Sequence, residues 1–308
     1  MGTHIEAVFA QAGNGARKAT ARRLADAAAR NCCALAGRKV NDIDMLINVG
    51  IYREDSMGEP ALAALIQEDI GANLGHPPIG GTGTFSFDLL NGACGVITAL
   101  QIESSLLESG VIRLGAVVSS DVQPELDNHR ARFLRPAGGA MLLKRDDRLG
   151  GFTDFSSETF PEYADLFTSG LVWREGPGVR APRQGYGRHR MAVSMKPGYP
   201  ARLVDCAEEA TRRFLHRLDL GVEDIDLLVP SPSRAPFVDP LRARLGIPGD
   251  RVAYTPEDLE GAYTTGPIAA LQAAIKSGRL AEAENALLLA AGAGITVALA
   301  LYRQTPSP

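Results

Sequence analysis

Residues 42–47, Asp-Ile-Asp-Met-Leu-Ile, return as Asp-Ile-Asp-Leu-Leu-Val at 224–229. Each copy follows a stretch rich in Ala, Arg and Leu. Further on, Glu108-Ser109-Gly110 precedes an apolar run at 113–119, and Lys276-Ser277-Gly278 precedes another at 286–291. Two matches in the same order identify a weak internal duplication, the feature to settle before any motif. Each half reads helix, strand, loop, helix, strand-like turn, buried helix, strand. Repeated α/β halves bury their apolar faces best as two sheets, with helices outside and one shared helical layer between them. The expected fold class is therefore α/β, five-layered αβαβα, in two pseudo-duplicated halves, 1–150 and 151–308.

Local signals place the elements. Residues 16–36 read as an amphipathic helix ending near Gly37, and 43–50 as a buried strand. A helix follows from about Pro60, well placed at a first turn, to Asn73. Continuous apolar runs at 113–119 and 140–143 read as strands covered on both faces. Residues 165–200 are rich in Gly, Pro and Arg and hold Trp173; they read as a long connection or lid with short helical pieces. A helix spans 201–217, a strand 225–230 and a further helix 267–277. The apolar run 286–302 carries Gly292, Gly294 and Thr296 and is too short to span a bilayer.

Composition narrows the function classes. The 308 residues are 45% apolar and 22% charged with a formal net charge of −4, an ordinary soluble balance without general nucleic-acid affinity. The arginines Arg174, Arg180, Arg183, Arg188 and Arg190 read as a solvated loop, or as a site for an anionic ligand. Cys32, Cys33, Cys94 and Cys206 form no CxxC pair and no zinc-ligand spacing, so no metal is expected. Free cysteines and the lack of a signal pattern in Met1–Glu6 point to a cytoplasmic protein.

Cys94 carries the chemistry. It lies where the run from Phe85 gives way, through Gly92 and Ala93, to a helix with Leu100, Ile102, Leu106 and Leu107 on several faces. A cysteine at a helix N-terminus meets free N–H groups and the positive dipole end, which favour a thiolate. Small neighbours leave room for a substrate. The competing reading is inert packing, since free cysteine is among the most buried residue types. The repeat pairs this segment with 261–266, so that loop should face Cys94 across the pseudo-twofold axis, in a crevice suited to a site.

Phe87-Asp88-Leu89-Leu90-Asn91-Gly92-Ala93-Cys94-Gly95, Val117-Val118-Ser119-Ser120-Asp121, Ala137-Gly138-Gly139-Ala140 and Leu287 to Thr296 together resemble the thiolase superfamily. More narrowly, they resemble the β-ketoacyl-acyl-carrier-protein synthase III group, over about 16–303. The resemblance implies a thiolase-like fold and a homodimer paired through the strand beside the nucleophile. It implies acyl transfer through an acyl-enzyme at Cys94, with the acyl group arriving on coenzyme A or on the phosphopantetheine of an acyl carrier protein and no tightly bound cofactor. It places the oxyanion hole at the backbone N–H groups of Cys94 and of Ala293, in the Gly292-Ala293 turn.

The departures are as informative. In the family a His and an Asn complete the site by donating hydrogen bonds to the enolate of a decarboxylating malonyl thioester. The first position falls in Ser231-Pro232-Ser233-Arg234 and the second in the asparagine-free loop Gly261–Gly266. Ser231, Ser233, Tyr263 and Thr264 are the hydroxyl groups nearest those positions, and none is a base near neutral pH. Of His4, His76, His129, His189 and His216, none matches a catalytic position, and His129 alone merits a test. The family's opening segment, which holds coenzyme A, has no counterpart before Ala16. Three functions follow: acyl transfer from Cys94 to an acceptor other than malonyl-carrier protein, condensation served by the hydroxyls, or a non-catalytic partner subunit.

Overall fold

The computed structural model describes residues 2–13, 19–53, 60–75, 83–123, 134–173, 189–231 and 236–304. The first half contributes β1 (Gly2–Ala12), α1 (Ala21–Leu35), β2 (Met45–Asn48), α2 (Leu62–Ile70), β3 (Phe85–Asp88), α3 (Gly95–Glu108), β4 (Leu114–Asp121) and β5 (Ala137–Asp146). The second contributes β6 (Gly150–Thr159), β7 (Phe167–Trp173), β8 (His189–Met195), α4 (Tyr199–Arg217), β9 (Leu227–Pro230), α5 (Val238–Leu245), α6 (Gly266–Lys276), α7 (Arg279–Glu282), β10 (Asn285–Gly292) and β11 (Thr296–Gln304).

Among the described residues the large sheet runs β3-β2-β4-β5-β1-β6-β11-β10-β9, and its two halves join where Thr3 meets Phe152. The duplication is visible in the pairing. β2 lies parallel to β3 and β4, while β9 lies parallel to β10 and, through the single bridge Leu228–Val252, to the segment standing in β3's place. Inward from there, β4-β5-β1 matches β10-β11-β6, all antiparallel.

Alternation along each strand builds five layers. Along β10, Leu287, Leu289 and Ala291 face an outer core with α4 and α5, while Ala286, Leu288 and Ala290 face a central one. The central core holds Val96, Ile97 and Leu100 of α3 beside Ile268, Ala269 and Leu271 of α6. The other outer layer packs α1 and α2 against Leu46, Ala116 and Leu142. The order is thus αβαβα, the expected thiolase-like architecture. α3 is buried at Leu100 and Leu107 and half-buried at Ile102 and Leu106.

Three local expectations change. Gly2–Ala12, ahead of the first expected element, is a strand at the middle of the sheet. The described ends of the connection 165–200 pair as antiparallel strands, β7 with β8, where helical pieces were expected; residues 174–188 lie outside the described residues. The first helix starts at Ala21, where the Thr20 hydroxyl accepts the Arg23 N–H at 3.2 Å. The run 286–302 folds as the β10–β11 hairpin, and no helix among the described residues is long and apolar enough to cross a membrane.

Candidate active site

The chain reverses from β3 into α3 through a tight turn at Gly92–Cys94. Gly92 takes φ 53°, the left-handed region that favours glycine. Gly95 lets the helix start against the Val49 side chain, where an added Cβ would come to 3.2 Å. Cys94 is thereby fixed at the N-cap of α3, as the sequence places it. It is 1% exposed.

The sulfur points across the central layer to the other half. It lies 3.4 Å from the Thr296 carbonyl and 3.7 Å from that of Ala290, and can donate its S–H to either. Burial pushes the thiol up to about 12. Burial thus works against the thiolate that the helix terminus favours. Desolvation raises the pKa against the pull of the Ala298 backbone N–H, which favours the thiolate. The Cys94 N–H, assigned to an oxyanion hole, donates to the Asn91 carbonyl at 3.0 Å within the turn. Ala293 is exposed at the tip of the β10–β11 hairpin, while its neighbour Gly292 packs on Ala93, to which an added Cβ would come within 3.5 Å.

The loop paired with this segment by the repeat does face it. A Cβ on Gly92 would lie 3.4 Å from the Tyr263 hydroxyl. Burial raises the Tyr263 pKa, and the neighbouring Tyr52, Asp121, Tyr199 and Cys94 add to that rise, so the phenol is a donor and not a base. Its ring lies 5.5 Å from that of Tyr52. Thr264 is buried beside it, but its hydroxyl proton goes to the Asp121 carboxylate, so it has none for a ligand. Ser231 is fully buried; its N–H donates to the Leu289 carbonyl at 2.7 Å, and its hydroxyl has no hydrogen-bond partner among the described residues. Alternation from Leu227 and Val229, both in the central core with Cys94, places Ser231 on that same face. Ser233, His76, His129 and the arginines Arg174, Arg180, Arg183 and Arg188 lie outside the described residues.

The sequence reading missed Asp121 as a site group, together with Tyr52 and Tyr199. Asp121 is wholly buried at the end of β4, and burial raises its pKa against the pull of the Thr264 hydroxyl and of the Tyr52, Thr264 and Ile51 N–H groups. An aspartate closing an eight-residue buried strand was the available signal. Among the described residues, no group of three His, Cys, Asp or Glu side chains is placed to hold a metal ion.

Comparison with known proteins follows the geometry. The family model for the C-terminal part of 3-oxoacyl-[acyl-carrier-protein] synthase III matches residues 215–304. The β-ketoacyl-[acyl-carrier-protein] synthase III of Acidiphilium cryptum is 28% identical over 293 residues, covering 92% of this chain and 84% of that protein. The synthase III of Rickettsia typhi is 27% identical, covering 86% and 78%. Among solved structures, the synthase III of Aquifex aeolicus superposes with a TM-score of 0.77 at 19% identity, covering 98% of this chain and all of that one. An OleA variant of Xanthomonas campestris gives 0.79 at 16%, covering 99% of each chain. At such identities the solved structures establish the shared fold.

Proposed function

From its similarity to the β-ketoacyl-acyl-carrier-protein synthases III, we propose that the chain is a thiolase-superfamily acyltransferase working through an acyl-enzyme at Cys94. The observation that carries the reading is the position of the sulfur, at the mouth of a central helix and facing the second half of the chain. In the first step the sulfur attacks the carbonyl of an acyl thioester. The new S–C bond forms, the bond to the donor's pantetheine sulfur breaks, and the Cys94 proton leaves on that departing thiol. In the second step the acceptor brings its own nucleophilic atom. It takes the acyl group, the S–C bond breaks, and the acceptor's proton returns to Cys94.

The acceptor is not malonyl-carrier protein. A serine stands where the family's histidine is expected, and the loop Gly261–Gly266 has no asparagine, so two donors to a decarboxylation enolate are missing. The Ser231 and Tyr263 hydroxyls are the groups left to polarise an acyl oxygen. The donor is an acyl-carrier-protein or coenzyme A thioester, and the working unit is a homodimer. An unpaired edge supports the dimer: β3 ends the sheet, with Phe85 62% and Leu90 65% exposed beside it.

Incubation with acyl-coenzyme A and acyl-carrier-protein thioesters, followed by intact mass, should add one acyl group to the protein and none to Cys94→Ala. No adduct from any donor would sink the proposal. That result would favour a second reading, a non-catalytic partner subunit, to which the 1% exposure of Cys94 and its raised pKa lend weight.

A further inference from the structure

We infer that Asp121 is a latch: one buried carboxylate ties the loop after β2 to the loop before α6, and so holds the Tyr52–Tyr263 ring pair over the nucleophile turn. The inference concerns access to Cys94 and stands whatever reaction Cys94 performs. One oxygen, Oδ1, accepts the backbone N–H of Ile51 at 3.0 Å and of Tyr52 at 2.8 Å. The other, Oδ2, accepts the Thr264 N–H at 2.9 Å and the Thr264 hydroxyl. The two arms thus grip different halves of the fold, 143 positions apart along the chain on the Thr264 side.

The grip is reinforced from the same face of β4. Ser119 Oγ lies 2.7 Å from Thr264 Oγ1 and 2.9 Å from Thr265 Oγ1, all three side chains being buried. The Val122 N–H returns to the Tyr52 carbonyl at 2.9 Å. The latched residues are Tyr52 itself and the direct neighbour of Tyr263. Their rings stand 5.5 Å apart, and the Tyr263 hydroxyl borders Gly92, two residues from the nucleophile. A carboxylate is the group this position requires, because all four partners donate and only an acceptor-only side chain can meet them. Asparagine keeps one accepting oxygen for Ile51 and Tyr52, but turns an NH2 toward the two Thr264 donors. It breaks the arm to the second half alone.

The test is iodoacetamide labelling of the full chain, with the rate at Cys94 read from its peptide by mass spectrometry. Asp121→Asn and Thr264→Val should label Cys94 about tenfold faster or more, the factor expected from one lost hydrogen bond to a charged group. Their rate-against-pH curves should also move to lower pH, as water reaches the sulfur. Thr264→Ser, which keeps the hydroxyl, should restore the slow rate. Leu46→Ala, buried in the outer layer away from the latch, should lower the melting temperature and leave the labelling rate unchanged. If Asp121→Asn does not fold, Thr264→Val decides. The latch is overturned if folded Thr264→Val labels as slowly as wild type, or if Leu46→Ala speeds labelling equally.

Discussion

A carboxylic acid sits in the middle of the protein, shut off from water. Glu103, on α3, is fully buried; among the described residues neither oxygen makes a full hydrogen bond, and the Ala116 N–H on β4 is the one group that favours its charged form. Room for it comes from Gly115 on β4, where any Cβ would collide with the carboxyl group. Burial raises its pKa well above the ordinary value, so the acid is neutral in the folded state and ionises on unfolding. The sign follows. A folded pKa raised above the unfolded one contributes stability below the unfolded value and loses it as pH rises toward the folded one. Wild type should therefore be less stable to denaturant at pH 8 than at pH 5 through this group. Glu103→Leu should narrow that gap and add on the order of 1–3 kcal/mol at pH 8, the cost of an unmet buried polar group. An unchanged gap would show that Glu103 finds a partner. Cys94 teaches the same lesson. Its position at a helix start was legible from Gly92, Ala93 and Gly95. Its surroundings were not, because the Ala290 and Thr296 carbonyls that face it lie 196 and 202 residues away in sequence.

The site's framework depends on how one element caps another. Asp88, at the end of β3, accepts the N–H groups of Leu62 and Ala63 at 2.7 Å each, so it caps α2 from outside that helix, and Asn48 of β2 donates to it at 3.0 Å. The cap ties α2, β2 and the strand leading to Cys94 into one unit. Asp88→Ala should cost about 1–2 kcal/mol of stability, read from urea unfolding, and Asp88→Asn less. Equal losses in the two would show that charge, and not acceptor geometry, holds the cap. The elements with strong local pattern were readable: α3 from its apolar faces, β4 and β10 from continuous apolar runs. The strand β1 was not, although residues 7–11 alternate in burial. Its length and central place come from pairing with β5 and β6, which are distant in sequence.

At the scale of the whole molecule, the proposed homodimer is the part open to direct test. β3 is the sheet's edge, and Phe85 and Phe87 stand 5.6 Å apart on it, with Phe85 exposed. Light scattering should give the mass of two chains for wild type and of one for Phe85→Asp. A monomeric wild type would remove the dimer from the proposal. The internal repeat foretold the five layers, because 42–47 and 224–229 are so alike and because repeated halves bury their faces best against a common layer.

By itself, the amino-acid order determined what periodicity and turn chemistry determine: the strand and helix runs, the duplicated halves, the αβαβα class and a cysteine at the mouth of a central helix. The tertiary structure alone decided how deeply that cysteine is buried, which hydroxyls are spent and which unmet, and that Asp121 binds the two halves together. These properties depend on desolvation and on hydrogen bonds between atoms far apart in the chain. Local sequence carries no record of either until the chain has folded.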